Sequence, residues 1–275
     1  MPELPEVETI RRGLRKIFLG RVFSEVIVHR PSTLRSDPAQ FASKLMGCRV
    51  QEIGRRGKHL LFALSGDATL LVHLGMTGQL TVQPPETPLR PHTQVVFRFI
   101  RGRLDLRYRD VRRFGYLQLV PTSQVSYLPQ IAQLGPEPLS ITYEELAGRL
   151  QHRRGKIKPV LLSQTAVCGL GNIYTDEVLF AADIHPEQPA NTLSPDQLRR
   201  LQAALIEILT AAIEAGGSSI DRAYVRVDGS PGTYQQHHAV YGRAHQPCYC
   251  CGTPIRRYLL SGRSTYFCPQ CQRLP

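Results

Sequence analysis

The sequence predicts an α+β protein of more than one domain, and three features of the chain support that prediction. A helical stretch near the N-terminus is followed by a long region of short apolar segments, separated by Gly, Pro or charged residues. A proline-rich stretch, LGPEPLS at 134–140, then precedes mostly helical sequence. Five of the seven cysteines lie at residue 237 or later. A chain of 275 residues is long enough for two domains with their own cores.

The first predicted helix covers residues 5–18. Its apolar side chains recur at the spacing of one helix face: Val7, Ile10, Leu14 and Phe18. Eight predicted strands follow, at 21–29, 49–53, 59–64, 69–74, 78–82, 94–99, 103–108 and 115–120. Eight strands after one helix favour a β-sandwich or a barrel, which we assign to residues 1–133.

The helical region begins after the proline-rich stretch. Thr142 and Glu145 have the spacing of a capping box before a short helix. A longer helix opens at the Ser-Pro-Asp-Gln sequence 194–197 and stops at the Gly pair 216–217. Residues 157–182 are also predicted to be helical, with an interruption at the CGLGN sequence.

The rest of the chain gives two further segments. Residues 217–236 are rich in Gly, Ser and Asp and are predicted to form a mobile loop. We therefore assign 141–236 to a helical domain and 237–275 to a cysteine-containing C-terminal module.

Four of the late cysteines have the spacing of zinc ligands. They form two CxxC pairs with 16 residues between them: Cys248, Cys251, Cys268 and Cys271. This pattern predicts one tetrahedral, four-thiolate Zn²⁺ site, which is structural because it leaves no open coordination position. Two strand-like segments between the pairs meet at Ser261-Gly262-Arg263, so the metal would hold a β-hairpin with Arg263 at its tip.

The composition favours a polyanionic partner. The chain carries 34 Lys and Arg against 22 Asp and Glu, a net charge of +12. Such an excess indicates nucleic acid or an anionic membrane surface. No apolar run reaches the ~18 residues that span a bilayer, and the N-terminus carries acids instead of a basic signal segment. We therefore expect a cytoplasmic protein, associated with the nucleoid, that has no membrane contact.

The N-terminal sequence MPELPEVE raises a chemical question. If Met1 is removed, the nitrogen of Pro2 becomes a free secondary amine. Pro2 would then be either the entry to a helix or a nucleophile, and its residue type alone does not decide between the two.

Five motifs occur together and in order: MPELPEVET at the N-terminus, HLGMTGQL at 73–80, DVRRFG at 110–115, GLGNIYTDEVLF at 169–180 and the CxxC hairpin. In this combination the chain closely resembles the bacterial formamidopyrimidine-DNA glycosylases, which are 8-oxoguanine glycosylases and lyases. The resemblance covers essentially the whole chain. It implies an N-terminal β-sandwich flanked by helices, a helix-two-turn-helix domain and a zinc-finger β-hairpin.

The resemblance also implies a function in base-excision repair. A monomeric enzyme with one structural zinc would remove oxidised purines, 8-oxoguanine and formamidopyrimidines, from damaged double-stranded DNA. It would then cleave the abasic strand by β,δ-elimination through a Schiff base on the N-terminal proline.

The resemblance assigns catalytic roles residue by residue. Pro2 corresponds to the nucleophile and Glu3 to the general acid and base, while Glu6 supports the amine from the first helical turn. Lys58 corresponds to a lysine that contacts phosphate and the lesion and assists catalysis. Arg263 corresponds to a rigidly held arginine directed at a phosphate.

Further residues correspond to DNA contacts. Candidate phosphate contacts are His73, His92, Arg154, Lys158, Asn172 and Tyr174. Met76, Arg112 and Phe114 match a trio that fills the void left by an extruded base, with the arginine facing the orphaned cytosine.

Two other functions stay open on the sequence. An endonuclease VIII-type enzyme would run the same reaction on oxidised pyrimidines, although sequences of that type usually have glycine where this chain has Leu4. A non-catalytic zinc protein that binds DNA would keep the basic charge and the cysteines, but it would have no need for Pro2 and Glu3.

Overall fold

A computed structural model describes residues 2–220 and 224–274 of the chain. The structure divides into two compact units. Unit 1 contains residues 1–132 and 215–233, and unit 2 contains residues 133–214 and 234–275.

Helix α1 opens unit 1 at Leu4–Phe18, as the spacing of its apolar residues predicts. Its apolar face, which includes Leu4, Ile10 and Leu14, is at most 1% exposed. Each such side chain stabilises the fold by roughly 1.5–3 kcal/mol relative to an exposed position. Phe18 ends the helix stacked on Phe99, with ring centroids 4.4 Å apart.

All eight predicted strands are present in unit 1. They are β1 (Phe23–Val28), β2 (Val50–Arg56), β3 (His59–Leu64), β4 (Ala68–His73), β5 (Gly78–Gln83), β6 (Thr93–Phe99), β7 (Asp105–Asp110) and β8 (Tyr116–Pro121). They form two four-stranded antiparallel sheets, in the orders β1-β6-β7-β5 and β2-β3-β4-β8. Side chains from both sheets and from α1 share one apolar core, which confirms the predicted sandwich with a flanking helix.

Two further helices of unit 1 were not predicted from the sequence. Helix α2 spans Pro38–Leu45, where Asp37 caps the N-terminus by accepting a hydrogen bond from the Ala39 N–H at 3.0 Å. Phe41 and Leu45 anchor this helix in the core. A four-residue helix, α3, covers Pro129–Ala132.

Both units also contain short 3₁₀ turns. They lie at Pro31–Thr33 and Thr122–Tyr127 in unit 1, and at Ala190–Thr192 and Tyr234–His237 in unit 2.

Residues 215–233 belong to unit 1, although the sequence analysis placed them in the helical segment. Tyr224 and Val227 are 3% and 8% exposed and lie in the core of the sandwich. The carbonyl of Val227 also accepts a hydrogen bond from the N–H of Val82 in β5 at 2.8 Å. These contacts attach the segment to the sandwich. Residues 221–223 of the predicted mobile loop lie outside the described residues.

Unit 2 contains four helices: α4 (Tyr143–Leu150), α5 (Ile157–Leu162), α6 (Asn172–Ala181) and α7 (Pro195–Glu214). The predicted capping box of α4 is present between Thr142 and Glu145. At the start of α7, Ser194 and Gln197 exchange a similar pair of hydrogen bonds. The break between α5 and α6 falls at the glycine-containing sequence, as expected.

The C-terminal hairpin consists of β9 (Arg256–Leu260) and β10 (Arg263–Phe267). Its two-residue turn has positive φ at both Ser261 (48°) and Gly262 (74°), the conformation that suits a tight hairpin. In the part of the chain that the structure describes, no helix is long and apolar enough to cross a membrane.

Candidate active site and nucleic-acid interface

The N-terminal turn of α1 buries two carboxylates beside Pro2. Glu3 and Glu6 are 2% and 1% exposed, and Pro2 is itself buried. Glu6 Oε2 accepts a hydrogen bond from the Glu3 backbone N–H at 2.7 Å, and Glu6 Oε1 accepts one from the Ser218 N–H at 2.8 Å. Glu6 therefore fixes the conformation of the residues that follow Pro2.

The segment after α7 approaches this turn closely because it contains glycine. Gly217 has φ of 83°, and a Cβ at this position would lie 2.8 Å from Glu6 Oε1. The Tyr224 hydroxyl donates to the carbonyl of Gly216 at 3.0 Å and holds the same segment. Glycine is therefore required at position 217, where it ends the helix and also lets the chain pass close to Glu6.

Lys58 lies in the two-residue turn between β2 and β3 and is half-buried. The guanidinium of Arg55 positions this turn, because it donates to the carbonyl of Gly57 at 2.9 Å and to Glu8 at 3.2 Å. Burial raises the pKa of Glu8, but its bonds to Arg11 and Arg12 outweigh that effect and lower the pKa to about 2. Glu8 is therefore ionised at neutral pH and orients the arginine beside Lys58.

His73 belongs to a cluster of three rings across β3, β4 and β8. Its ring centroid lies 4.7 Å from that of His59 and 5.3 Å from that of Tyr116. Burial lowers the pKa of His73 to about 3, helped by the nearby charges of His59 and Lys58. Its Nδ1 accepts the Gly75 N–H at 3.2 Å, so the neutral ring carries its proton on Nε2. Any phosphate contact of His73 would therefore use a neutral Nε2–H donor.

The three predicted void-filling residues lie on two loops that contact each other. Met76 is half-buried in the 74–77 loop, whereas Arg112 and Phe114 are exposed on the 111–115 loop. Phe114 is 56% exposed, so its ring is accessible to a ligand. The Arg112 guanidinium carbon lies 5.0 Å from the centroid of that ring. The structure thus places the three residues on neighbouring loops, and their role in filling a void stays a prediction.

The two loops touch through glycine. A Cβ on Gly75 would lie 2.5 Å from the backbone nitrogen of Gly115, and one on Gly115 would lie 2.0 Å from the Tyr108 hydroxyl. His92, another candidate DNA contact, is exposed at a positive φ of 69°. Its carbonyl accepts the N–H of Asp110 at the start of the second loop, at 3.1 Å.

In unit 2, Asn172 is the first residue of α6, as predicted, and follows the N-cap Gly171. Its side-chain amide donates to the carbonyl of Ser264 in β10 at 2.8 Å. The amide therefore connects the N-terminus of the helix to the strand that begins with Arg263. Arg263 and Arg154 are both exposed, in agreement with a role at the surface.

The structure corrects the interpretation of Lys158 and Tyr174 as phosphate contacts. Both side chains are 0% exposed. The Lys158 ammonium lies 2.7 Å from Asp176 Oδ1 and donates to the Ser264 carbonyl at 2.9 Å. Asp176 in turn accepts the N–H of Tyr266 at 3.0 Å. These partners make Lys158 a structural residue that attaches α5 and α6 to the hairpin. Tyr174 lies in the interior of unit 2, with its ring 5.9 Å from that of Tyr234.

The four predicted metal ligands converge in unit 2. The Sγ atoms of Cys248, Cys251, Cys268 and Cys271 all lie within 4.8 Å of one another, and three of their separations are 3.5, 3.6 and 3.9 Å. Tetrahedral Zn–S bonds of about 2.3 Å place sulfur atoms about 3.8 Å apart. The cysteines therefore fit one structural zinc ion. Cys250 is exposed and is not a member of the cluster.

Comparison with known proteins accounts for the whole arrangement. Three family models match consecutive parts of the chain: the formamidopyrimidine-DNA glycosylase N-terminal domain at residues 1–117, the H2TH domain of the same enzymes at 134–223, and the zinc finger found in FPG and IleRS at 246–274. The formamidopyrimidine-DNA glycosylase of Ligilactobacillus salivarius is 44% identical, with 99% of each chain covered. The chain belongs to the formamidopyrimidine-DNA glycosylase family.

Solved structures agree with this assignment. The MutM (FPG) protein of Thermus thermophilus matches with a TM-score of 0.89 and 42% identity, and the match covers 100% of both chains. Lactococcus lactis Fpg bound to DNA with an abasic site matches with a TM-score of 0.92 and 39% identity, over 98% of this chain and 99% of that one. The chain is therefore a DNA base-excision repair enzyme with the glycosylase and abasic-site lyase activities of its family, and it binds one structural zinc ion.

Several residues that build the site were not identified from the sequence. Asp110 is fully buried and accepts hydrogen bonds from Thr77 of the 74–77 loop and Gly115 of the 111–115 loop. Glu177 accepts three backbone N–H groups, from residues 239, 240 and 241, at 2.7–3.0 Å and so attaches α6 to the segment before the first CxxC. Both acids lie inside sequence motifs, Asp110 in DVRRFG and Glu177 in GLGNIYTDEVLF. Their contacts join residues that are distant in the chain, and residue type alone did not indicate them.

Proposed function

We propose that this enzyme excises oxidised purines from duplex DNA and cleaves the resulting abasic strand, with the nitrogen of Pro2 as the nucleophile. The observation that carries the proposal is the pair of buried carboxylates beside Pro2, Glu3 and Glu6, at a turn held by Ser218. A carboxyl group held in a fixed position beside the amine can act as general acid and base on a leaving base.

The chemistry follows from a secondary amine. An α-amino group has a pKa near ~8, so a useful fraction is uncharged at neutral pH. The Pro2 nitrogen attacks the sugar C1′ and forms a bond as the bond between C1′ and the base breaks. Glu3 serves as the acid and base that protonates the departing base and opens the sugar ring. The resulting iminium acidifies the C2′–H. Loss of the proton from C2′ then expels the 3′ phosphate. A second elimination expels the 5′ phosphate.

Each unit carries its own donors for phosphate groups of DNA. Lys58 and the Nε2–H of His73 supply donors from unit 1, and the exposed guanidinium of Arg263 and the N-terminus of α6 at Asn172 supply donors from unit 2. His92 and Arg154 add exposed contacts. We further propose that the enzyme acts as a cytoplasmic monomer associated with the nucleoid.

Met76, Arg112 and Phe114 would fill the space left by the extruded nucleotide. The exposed ring of Phe114 and the neighbouring side chain of Met76 replace lost stacking, and Arg112 faces the orphaned cytosine. The role of Arg112 predicts a preference for lesions opposite cytosine. Such a preference favours oxidised purines over the pyrimidine substrates of an endonuclease VIII-type enzyme.

The test is covalent trapping by borohydride on a duplex that carries 8-oxoguanine opposite cytosine. Borohydride reduces the iminium, so the wild-type chain should yield a stable protein–DNA adduct. Pro2→Gly should trap severely less, and a variant with an N-terminal tag left in place should trap none. A matched duplex with an oxidised pyrimidine identifies the alternative substrate class. Undiminished trapping by the tagged variant would refute the role of Pro2.

A further inference from the structure

Asp110 lies where the two void-filling loops meet, at the C-terminal end of β7. Its side chain is 0% exposed. Oδ1 accepts the hydroxyl of Thr77 at 2.6 Å, and Oδ2 accepts the backbone N–H of Gly115 at 2.8 Å. The first partner belongs to the 74–77 loop and the second to the 111–115 loop. One carboxylate therefore binds both loops.

Thr77 completes the connection. While its hydroxyl donates to Asp110, its Oγ1 accepts the backbone N–H of Arg112 at 2.9 Å. Arg113, the next residue, has a positive φ of 61°, so this loop needs external partners to keep its shape. The chain of hydrogen bonds runs from the Met76 loop through Thr77 to the residue that carries the Arg112 side chain.

The surroundings of Asp110 are rigid. The Tyr108 hydroxyl lies 3.4 Å from Oδ2, and burial together with the Asp110 charge raises the pKa of Tyr108, so it remains a hydrogen-bond donor. The Gln94 amide donates to the Asp110 carbonyl at 2.9 Å. A buried carboxylate with these fixed donors has little freedom to move, and neither have the two loops attached to it.

We propose that Asp110 and Thr77 are positioning residues that hold the Met76 and Arg112–Phe114 loops as one preformed wedge. The inference rests on the proposed role of those side chains in filling the void. A preformed wedge inserts without the cost of ordering two loops at the moment of binding. Duplex lesions require the wedge, whereas an abasic site in a single strand has no stack to open. Loss of the Thr77 hydroxyl should therefore slow the reaction with duplex lesions and leave the reaction at a single-stranded abasic site unchanged.

The experiment compares Thr77→Val, which keeps the shape and removes the hydroxyl, with Thr77→Ser, which restores it. The readout is the kcat/KM for 8-oxoguanine in a duplex relative to borohydride trapping at an abasic site in a single strand. We expect Thr77→Val to lower this ratio by about 30-fold, because it removes two hydrogen bonds, the one donated to Asp110 and the one accepted from the Arg112 N–H. Thr77→Ser should return it to within about threefold of wild type.

The matched control is Thr69→Val. Thr69 is a buried threonine of β4 whose hydroxyl bonds to Thr122 at 3.0 Å, away from both loops. It should leave the ratio unchanged, which separates loop positioning from a general loss of stability. If Thr77→Val behaves like Thr69→Val, or if Thr77→Ser fails to restore the ratio, the inference is overturned.

Phe114→Ala separates this inference from the proposed function. Phe114→Ala should lower the same ratio, and the double variant with Thr77→Val should fall little below it, because both changes damage one wedge. If the two losses are additive, Thr77 acts outside the wedge. That result would overturn the positioning role of Thr77 and leave the wedge function intact. A normal ratio in Phe114→Ala would overturn the wedge function and with it the inference.

Discussion

At the scale of single residues, burial decides what each charged group can do. Lys158 and Arg154 are four residues apart, yet the first is buried against Asp176 and the second is exposed. Burial raises the pKa of Asp176 even though Lys158 lies beside it. A pair of this kind is costly to break because the remaining partner stays buried without its counter-charge.

Lys158→Met should therefore destabilise unit 2 by about 3–5 kcal/mol without acting through DNA. The matched control Arg154→Met should change stability by less than about 0.5 kcal/mol but weaken DNA binding. Urea unfolding followed by circular dichroism measures the first effect; the chain has no tryptophan to report it by fluorescence. A Lys158→Met variant that is as stable as wild type and binds DNA poorly would restore the phosphate-contact interpretation.

The histidine cluster predicts a pH dependence of stability. Burial lowers the pKa of His59 to about 4 and that of His73 to about 3, whereas an unfolded histidine has a pKa near ~6.5. Below the unfolded pKa, the unfolded chain binds protons that the folded chain excludes. Stability should therefore be complete above that pH and fall as pH decreases towards the folded values, by about 1.4 kcal/mol per pH unit for each histidine.

His73→Asn tests this, because the asparagine oxygen can accept the Gly75 N–H in place of Nδ1. We measure the free energy of unfolding with urea at pH 6 and at pH 5. Between these values it should fall less steeply in His73→Asn than in wild type, by about 1.4 kcal/mol per pH unit. The control is His92→Asn, at an exposed left-handed position that asparagine tolerates. Equal slopes in wild type and His73→Asn would show that His73 is not held neutral by the fold.

At the scale of elements, unit 2 attaches the zinc hairpin to its helices through buried acids. Asp176 and Glu177, adjacent residues of α6, bind the backbone of β10 and of residues 239–241. The zinc cluster holds the open end of the hairpin, and Lys158 and Asn172 donate to the Ser264 carbonyl beside the turn. The turn that presents Arg263 is thus supported from both sides.

Cys268→Ser should release the zinc ion and disorder the Arg263 turn, because each thiolate is a metal ligand. We expect loss of measured zinc and of DNA affinity, while the far-ultraviolet signal of the sandwich in unit 1 persists. Cys250→Ser is the control and should keep both zinc and affinity. Wild-type affinity in the zinc-free variant would mean that the hairpin does not contact DNA.

Local sequence signals predicted most of these elements. The apolar spacing of α1, the eight strands, the caps of α4 and α7 and the four zinc ligands depend on neighbouring residues, and all are present. Contacts between distant parts of the chain were not predictable in this way. Tyr224 and Val227 return the 215–233 segment to the sandwich. The burial of Lys158 likewise depends on a strand about a hundred residues later.

At the scale of the whole molecule, the excess of 12 positive charges governs the approach to DNA. Each neutralised phosphate contributes a slope of about −0.9 in log affinity against log salt. With Lys58, Arg154 and Arg263 as cationic contacts, we expect a slope of at least about −2.7. Arg263→Ala should make this slope less steep by about 0.9, the contribution of one phosphate contact.

Binding titrations from low to physiological salt measure this slope. Arg98→Gln is a suitable control, because Arg98 is already paired with Glu25 at 2.7 Å. This variant should keep the wild-type slope. An affinity that does not change with salt would contradict the phosphate contacts as a group.

Glu3 and Pro2 should serve different steps of the reaction at one site. Glu3→Gln tests this, because it keeps the shape of the buried side chain and replaces the carboxyl group, which can transfer protons, with an amide that does not. The measurement compares base excision from an 8-oxoguanine duplex with strand cleavage at a pre-formed abasic site. We predict that excision falls by ~100- to 10,000-fold, the usual contribution of a general acid or base, while abasic cleavage retains much of its rate through Pro2. Equal loss of both activities would contradict separate roles for Glu3 and Pro2.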